Sequence, residues 1–298
     1  MSTNTNLINS PKYLCFYDPN TVESTIDFFN RLEHFSKIDG IRVLLDFSAL
    51  EDMTAAAAAY LFSIISAHHV YIDSYMYSVN LPKDKRMKDL FIISGLRDAL
   101  RNGGENKLKK LWKTSDFVCG GSSDRTTFLK YLRKRMNVDT LPFKLGAAVR
   151  ESLMNVSHHA YGGPSDLVPI LWWCYTQLGE DKNGSYLSAV IVDRGEGIPP
   201  KIARNFPLYK YQTDSEKIKY AMQKSVTTTG EKGRGKGSAN IKRPISENIT
   251  SINDHVLVLS GNGQYNYRHD KKTEILIERT INSQWSLKGT VVEWRIYY

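Results

Sequence analysis

The chain is predicted to be an α/β protein in two parts. Three observations predict this. Within the first 120 residues, short runs rich in apolar and β-branched residues alternate with helical segments, which implies a mainly parallel sheet. A length of 298 residues suggests about two domains. Charge is unevenly divided: residues 1–120 carry fourteen basic and fourteen acidic side chains, so the whole formal net charge of +9 falls in the remainder. A hydrophobic content of 41% is ample for two cores. The boundary is placed between 118 and 119.

In the first part, Tyr13-Leu14-Cys15-Phe16-Tyr17 reads as a strand. A helix follows from Val22 to about Ser36, with Thr21 or Ser24 as its cap. Asp39-Gly40 makes a turn, and Ile41 to Phe47 reads as a buried strand. Thr54 caps a helix reaching about His68. Val70 to Val79 suits a strand, and Lys83 to Leu100 a helix with Met87, Leu90, Phe91 and Ile93 as apolar positions. His68-His69 ends its helix, where interaction with the helix dipole is expected.

The second part carries three motifs. The first is Glu151, Asn155 and His159, spaced i, i+4 and i+8, which stacks carboxylate, amide and imidazole on one side of a helix. Leu145, Ala148, Val149, Leu153, Val156 and Ala160 form its dry face. Such a row can present a general base, a metal ligand and a phosphate contact to one ligand. The second motif follows the strand Tyr186–Val192: Asp193-Arg194-Gly195-Glu196-Gly197-Ile198-Pro199. Asp193 at the strand end can accept a hydrogen bond, for example from an exocyclic amine. Gly195 and Gly197 let the backbone bend and approach a ligand. The third is Thr227 to Gly237, with four glycines and basic residues, feeding a helix that carries Ala239, Ile241 and Ile245. Amides at a helix start with lysine and arginine beside them suit polyphosphate. Gly230-x4-Gly235-Lys236 mimics a P-loop, but Gly237 stands where Ser or Thr belongs and no clear strand precedes it. A protein-kinase glycine loop also fails, since the chain has no His-Arg-Asp catalytic loop.

In this order the three motifs resemble the GHKL ATPase superfamily, over roughly Ser123 to Tyr298. The resemblance implies a two-layer α/β sandwich, a mixed sheet under helices, with ATP and magnesium held between the helices and a lid. It implies roles by position. Asn155 matches the magnesium ligand and Glu151 the residue that activates water. His159 matches a phosphate contact and Asp193 the reader of the adenine amino group. Gly195 and Gly197 match the glycines beside the base. Gly233, Gly235 and Gly237 match the second glycine box, with Arg234 and Lys236 near the phosphates. Gly289-Thr290 opens the strand Val291–Ile296, and a threonine there supports the adenine site. Ile198 to Lys232 corresponds to the lid. That basic segment, continued to Pro244, contains eleven Lys or Arg and three Asp or Glu.

The first part is similar to a STAS domain, in Leu45–Ala55 and in a last helix at Met87–Leu96. That family's antagonists carry Asp-Ser where Thr54-Ala55 stand here, so their serine switch is absent and a docking or dimerisation scaffold is expected.

The resulting expectation is an ATP- and magnesium-binding regulatory ATPase acting on a partner protein, as the anti-sigma-factor kinases do. The alternatives are an ATP-gated dimerisation clamp and a non-hydrolysing nucleotide-dependent interaction module. A homodimer is a further expectation, and nucleic acid ranks behind ATP as a partner of the basic half. Cys15, Cys119 and Cys174 form no metal-like or pairable pattern. The polar, uncharged start to Ser10 is not a signal peptide, and the longest apolar stretch, Ala55 to Ala67, is too short to span a membrane. A cytoplasmic location without membrane attachment is expected. Trp172-Trp173, in the strand-like run Val168–Tyr175, is expected in a core or at a sheet edge.

Overall fold

The computed structural model describes residues 5–35, 38, 41–135, 144–161, 169–223, 237–247, 253–270 and 275–297. The protein is mixed α/β. Its contacts group it into two units, Met1–Cys119 with Trp173–Tyr175, and Gly120–Trp172 with Thr176–Tyr298.

The first unit contains a three-stranded sheet in the order β1 (Thr5–Asn9), β3 (Arg42–Asp46), β5 (Tyr77–Asn80). Both pairings are parallel, as the alternation of elements implies. A shorter parallel pair joins β2 (Tyr13–Leu14) to β4 (Asp52–Met53). Between the strands run α1 (Pro19–Phe35), α2 (Ala55–Tyr71), α3 (Lys85–Ile93), α4 (Leu96–Leu100) and α5 (Glu105–Thr114), and β6 (Phe117–Gly120) follows. Helix α2 is buried from Ala55 through His69, so it has no solvent face to show an amphipathic pattern. An aromatic cluster of Phe16, Phe28, Phe29, Phe47, Tyr60 and Phe91 fills the core. Phe117 stacks on Tyr175 with ring centres 4.1 Å apart.

Several details depart from the sequence reading. The polar start hides β1, whose backbone pairs with β3 from Thr5 to Asn9 although only Ile8 is buried. Helix α1 is capped by Asp18, not by Thr21 or Ser24: Asn20 N donates to Asp18 Oδ1 at 2.9 Å, and Pro19 takes the first helical position. Thr21 and Ser24 turn their hydroxyls to backbone carbonyls instead. Val70 and Tyr71 close α2, which Thr54 does cap, rather than opening a strand. The helix expected over Lys83–Leu100 breaks at Gly95, whose φ is +78° and whose added Cβ would lie 2.5 Å from Ser115 Oγ.

Of the two histidines ending α2, His69 is held neutral and so brings no charge to its dipole. His68 Nδ1 lies 2.6 Å from Tyr77 Oη, and its Nε2 is 3.6 Å from Glu33. His69 lies 3.2 Å from Lys107 Nζ. Burial first, then the Lys107 charge, pushes the His69 imidazole down to about 3. A neutral ring has no charge to offer a helix end.

The second unit holds a sheet in the order β7 (Trp172–Asp181), β8 (Gly184–Asp193), β10 (Ile275–Tyr297), β9 (His255–Asp270). Strand β10 runs antiparallel to both β8 and β9. The strand expected over Val291–Ile296 therefore begins sixteen residues earlier, at Ile275. Its polar stretch Asn282–Lys288 is strand with register shifts around Leu287. Helices α7 (Leu145–Asn155) and α10 (Gly237–Ser246) pack on each other, α7 against β8 and α10 against β9 and β10. Trp294 in β10 donates from Nε1 to Ile241 O in α10 at 2.8 Å. Helix α6 (Arg125–Arg135) sets Phe128 against Trp172, which is fully buried like Trp173. Helices α8 (Ile198–Asn205) and α9 (Asp214–Ala221) complete the unit.

None of the three cysteines is in a disulfide. Among the described residues, no helix is long and apolar enough to cross a membrane.

Candidate functional site

Strand β8 is apolar and buried from Tyr186 to Val192, and its last residue is Asp193. Asp193 is itself buried, and it stands directly opposite Thr290 of β10, which stands opposite Ser260 of β9. Three polar residues thus occupy one row across three strands. The Asp193 carboxylate accepts a hydrogen bond from Gly195 N at 2.9 Å, and others from the Thr290 hydroxyl and amide. Burial outweighs these bonds and pushes the carboxyl up to about 6. Ser260 Oγ donates to Gly289 O at 2.8 Å and accepts from Ile198 N at 2.9 Å. It also lies 3.4 Å from Thr290 Oγ1. Ser260 was not legible as a site residue. Its only signal is a hydroxyl and a glycine closing the apolar run Val256–Leu259.

Two of these glycines meet protein backbone closely, and Gly197 bends the chain as expected. A Cβ on Gly195 would lie 1.9 Å from Ala160 O. Gly197 has φ +81° and Gly289 φ +83°, and a Cβ on Gly289 would lie 2.0 Å from Asp193 O. The closest neighbours of Gly195 and Gly289 are protein backbone, so these positions are glycine because chain segments cross closely there.

Helix α7 buries all six residues of the expected dry face, four within the helix and Val156 and Ala160 just beyond it. Glu151 and Asn155 lie one turn apart on it, both partly exposed. His159 does not continue the row as an α-helical i+8 position. Residues Val156–Ala160 form a π-helical turn. Bonding there runs from i to i+5, so a spacing of four falls short of a full turn.

That turn meets the loop after β8. Glu196 N donates to Ala160 O at 2.8 Å, and Lys201 Nζ donates to His159 O at 2.7 Å. Arg194 N donates to Tyr161 Oη at 3.3 Å, which donates onward to Leu171 O at 2.8 Å. The structure therefore brings the first two motifs together through the helix end. Lys201, Glu196 and Tyr161 were not singled out in sequence, because each contact depends on the π-helical turn.

Of the third motif, Gly233, Arg234, Gly235 and Lys236 lie outside the described residues. Gly237 opens α10, whose Ile241 and Ile245 are buried. Within the expected lid Ile198–Lys232, α9 packs against β9 and β10, while Leu208 and Tyr211 are exposed. Ser215 N donates to Asn282 Oδ1 at 3.1 Å, and Asn262 N to Asp214 Oδ2 at 3.0 Å. A Cβ on Gly263 would lie 2.5 Å from Ser215 N. Residues 224–232 lie outside the described residues.

Chemically, the strand end offers a buried carboxyl acceptor flanked by two hydroxyls, and α7 offers an amide and a carboxylate. Among the described residues, no three His, Cys, Asp or Glu side chains gather in a way that could hold a metal ion. The chain matches no protein-family model, and no curated protein matches it.

Proposed function

We propose that the second unit binds ATP with magnesium and is a regulatory ATPase of the GHKL type, a two-layer α/β sandwich. The observation that carries this reading is the Asp193–Thr290–Ser260 row. A buried carboxyl held by its neighbours is suited to accept from one amino group of a base. Asn155 and Glu151 supply hard oxygen donors, which fit magnesium. A cation at such a sparse set of protein ligands would complete its shell with phosphate oxygens and water. When bound, magnesium would neutralise phosphate charge. Asn155 would hold it, Glu151 would accept a proton from water, and His159 would contact phosphate. Arg234 and Lys236 would sit by the phosphates, beside Gly233, Gly235 and Gly237. Helices α7 and α10 against the sheet support the layered reading.

The parallel β1-β3-β5 sheet supports a STAS-like first unit used to dock a partner protein or a second copy. Release of phosphate from ATP by the wild type and by Glu151→Gln tests the reading. The expected result is magnesium-dependent turnover in the wild type and binding without turnover in the variant. Turnover surviving in Glu151→Gln removes the base assignment. Binding without turnover in the wild type turns the protein into a nucleotide-gated interaction module.

A further inference from the structure

We propose that Lys201 is a positioning residue that locks the π-helical turn carrying His159 to the start of α8, just beyond the strand that ends at Asp193. The proposal rests on the nucleotide reading of this site.

Lys201 sits in the first turn of α8, four residues beyond Gly197. Its side chain is only 21% exposed, so its ammonium is drawn from water for a reason. Two partners are near. Glu196 Oε1 is 3.8 Å away, but that carboxylate is already taken by Arg204, at 2.6 Å and 3.4 Å. The shorter contact of Lys201 is to His159 O, at 2.7 Å. The end of a helix leaves carbonyls without intrahelical donors. Here Lys201 takes the His159 carbonyl and Glu196 N takes that of Ala160.

The two contacts divide the work. The Glu196–Ala160 bond and the close crossing at Gly195 fix the loop beside Asp193 without Lys201. Removing the ammonium frees only the carbonyl of His159, the residue that the nucleotide reading assigns to the phosphates. Loss of Lys201 should therefore spare recognition of the base and loosen recognition of the phosphates. A lesion of the fold would weaken both.

Calorimetry with two probes, adenosine and ATP with magnesium, separates these outcomes on the wild type, Lys201→Met, Lys201→Arg and His159→Ala. Lys201→Met should bind adenosine within about twofold of wild type and magnesium-ATP about tenfold more weakly, the scale of one charge-assisted hydrogen bond. Lys201→Arg should recover most of the loss, since a guanidinium also donates to a carbonyl. The double variant with His159→Ala should lose no more than the worse single variant, because Lys201 acts through His159. Additive losses overturn the proposal, as does equal weakening of both probes or an unchanged affinity for magnesium-ATP. A wild type that binds neither probe overturns the nucleotide reading, and the proposal with it.

Discussion

Thr290 donates both its amide and its hydroxyl to the carboxylate of Asp193, its direct cross-strand partner. Burial still raises that carboxyl from its ordinary value of 3.8 to about 6. The folded chain therefore holds the proton more tightly than the unfolded chain does. The stability from this group is fully present below about pH 4 and is lost as pH rises through about 6. The loss between pH 4 and pH 7 is about 2 kcal/mol. Urea unfolding of the wild type and Asp193→Asn across that range should show their difference changing by this amount. A difference that stays constant with pH contradicts the burial of an ionisable carboxyl here.

Two histidines act with the opposite sign. Burial pushes His69 down to about 3 and His255 down to about 4. Their stability is present above pH 6.5 and is lost as pH falls through those values, at about 1.4 kcal/mol per pH unit each. Between pH 6 and pH 4 they outweigh Asp193, so these three groups together cost the chain about one proton's slope on acidification. Replacing His255 by Gln should remove one proton from that slope. An unaltered slope contradicts a buried neutral imidazole at this position.

The close crossing at Gly195 gives a third expectation. An alanine Cβ 1.9 Å from Ala160 O cannot be accommodated by a side-chain rotation, because the obstacle is backbone. Gly195→Ala should cost about 2 to 3 kcal/mol in urea unfolding. Gly104 has φ −91° and open space where its Cβ would go, so Gly104→Ala is the control, with a loss of at most about 1 kcal/mol because Gly104 caps α5. Equal effects at the two positions would mean the loop does not lie against the helix end.

Ser260 is expected to matter more than a buried serine in a strand normally would. Its hydroxyl serves both Ile198 N and Gly289 O. Ser260→Ala leaves both without that partner, and thermal unfolding should report a loss of about 1 to 3 kcal/mol. Ser260→Thr keeps the hydroxyl and should lose less. An alanine variant as stable as wild type removes Ser260 from the account.

Much of this was legible in the sequence, for reasons that can be named. The run Tyr186–Val192 could be read as strand because both its faces are buried. The dry face from Leu145 to Ala160 survived the change from α to π turn, because its residues are apolar whichever way the helix ends. Thr54 was recognisable as a cap, since a hydroxyl before an apolar helical run has few other uses. What was hidden depends on partners distant in sequence. Strand β1 is polar and is defined by pairing with β3. The polar stretch Asn282–Lys288, before the expected strand start, is strand because β9 lies beside it. Lys201 and Ser260 act through backbone groups, and no pattern of residue types announces a carbonyl.

The central claim is that Asp193 and Asn155 belong to one nucleotide site. The most direct measurement is calorimetry of ATP binding, with and without magnesium, to the wild type, Asn155→Ala and Asp193→Asn. The wild type should bind more tightly with magnesium. Asn155→Ala should lose that enhancement, and Asp193→Asn should bind at least about tenfold more weakly. A wild type that binds no ATP, or an Asp193→Asn variant that binds like wild type, contradicts the claim.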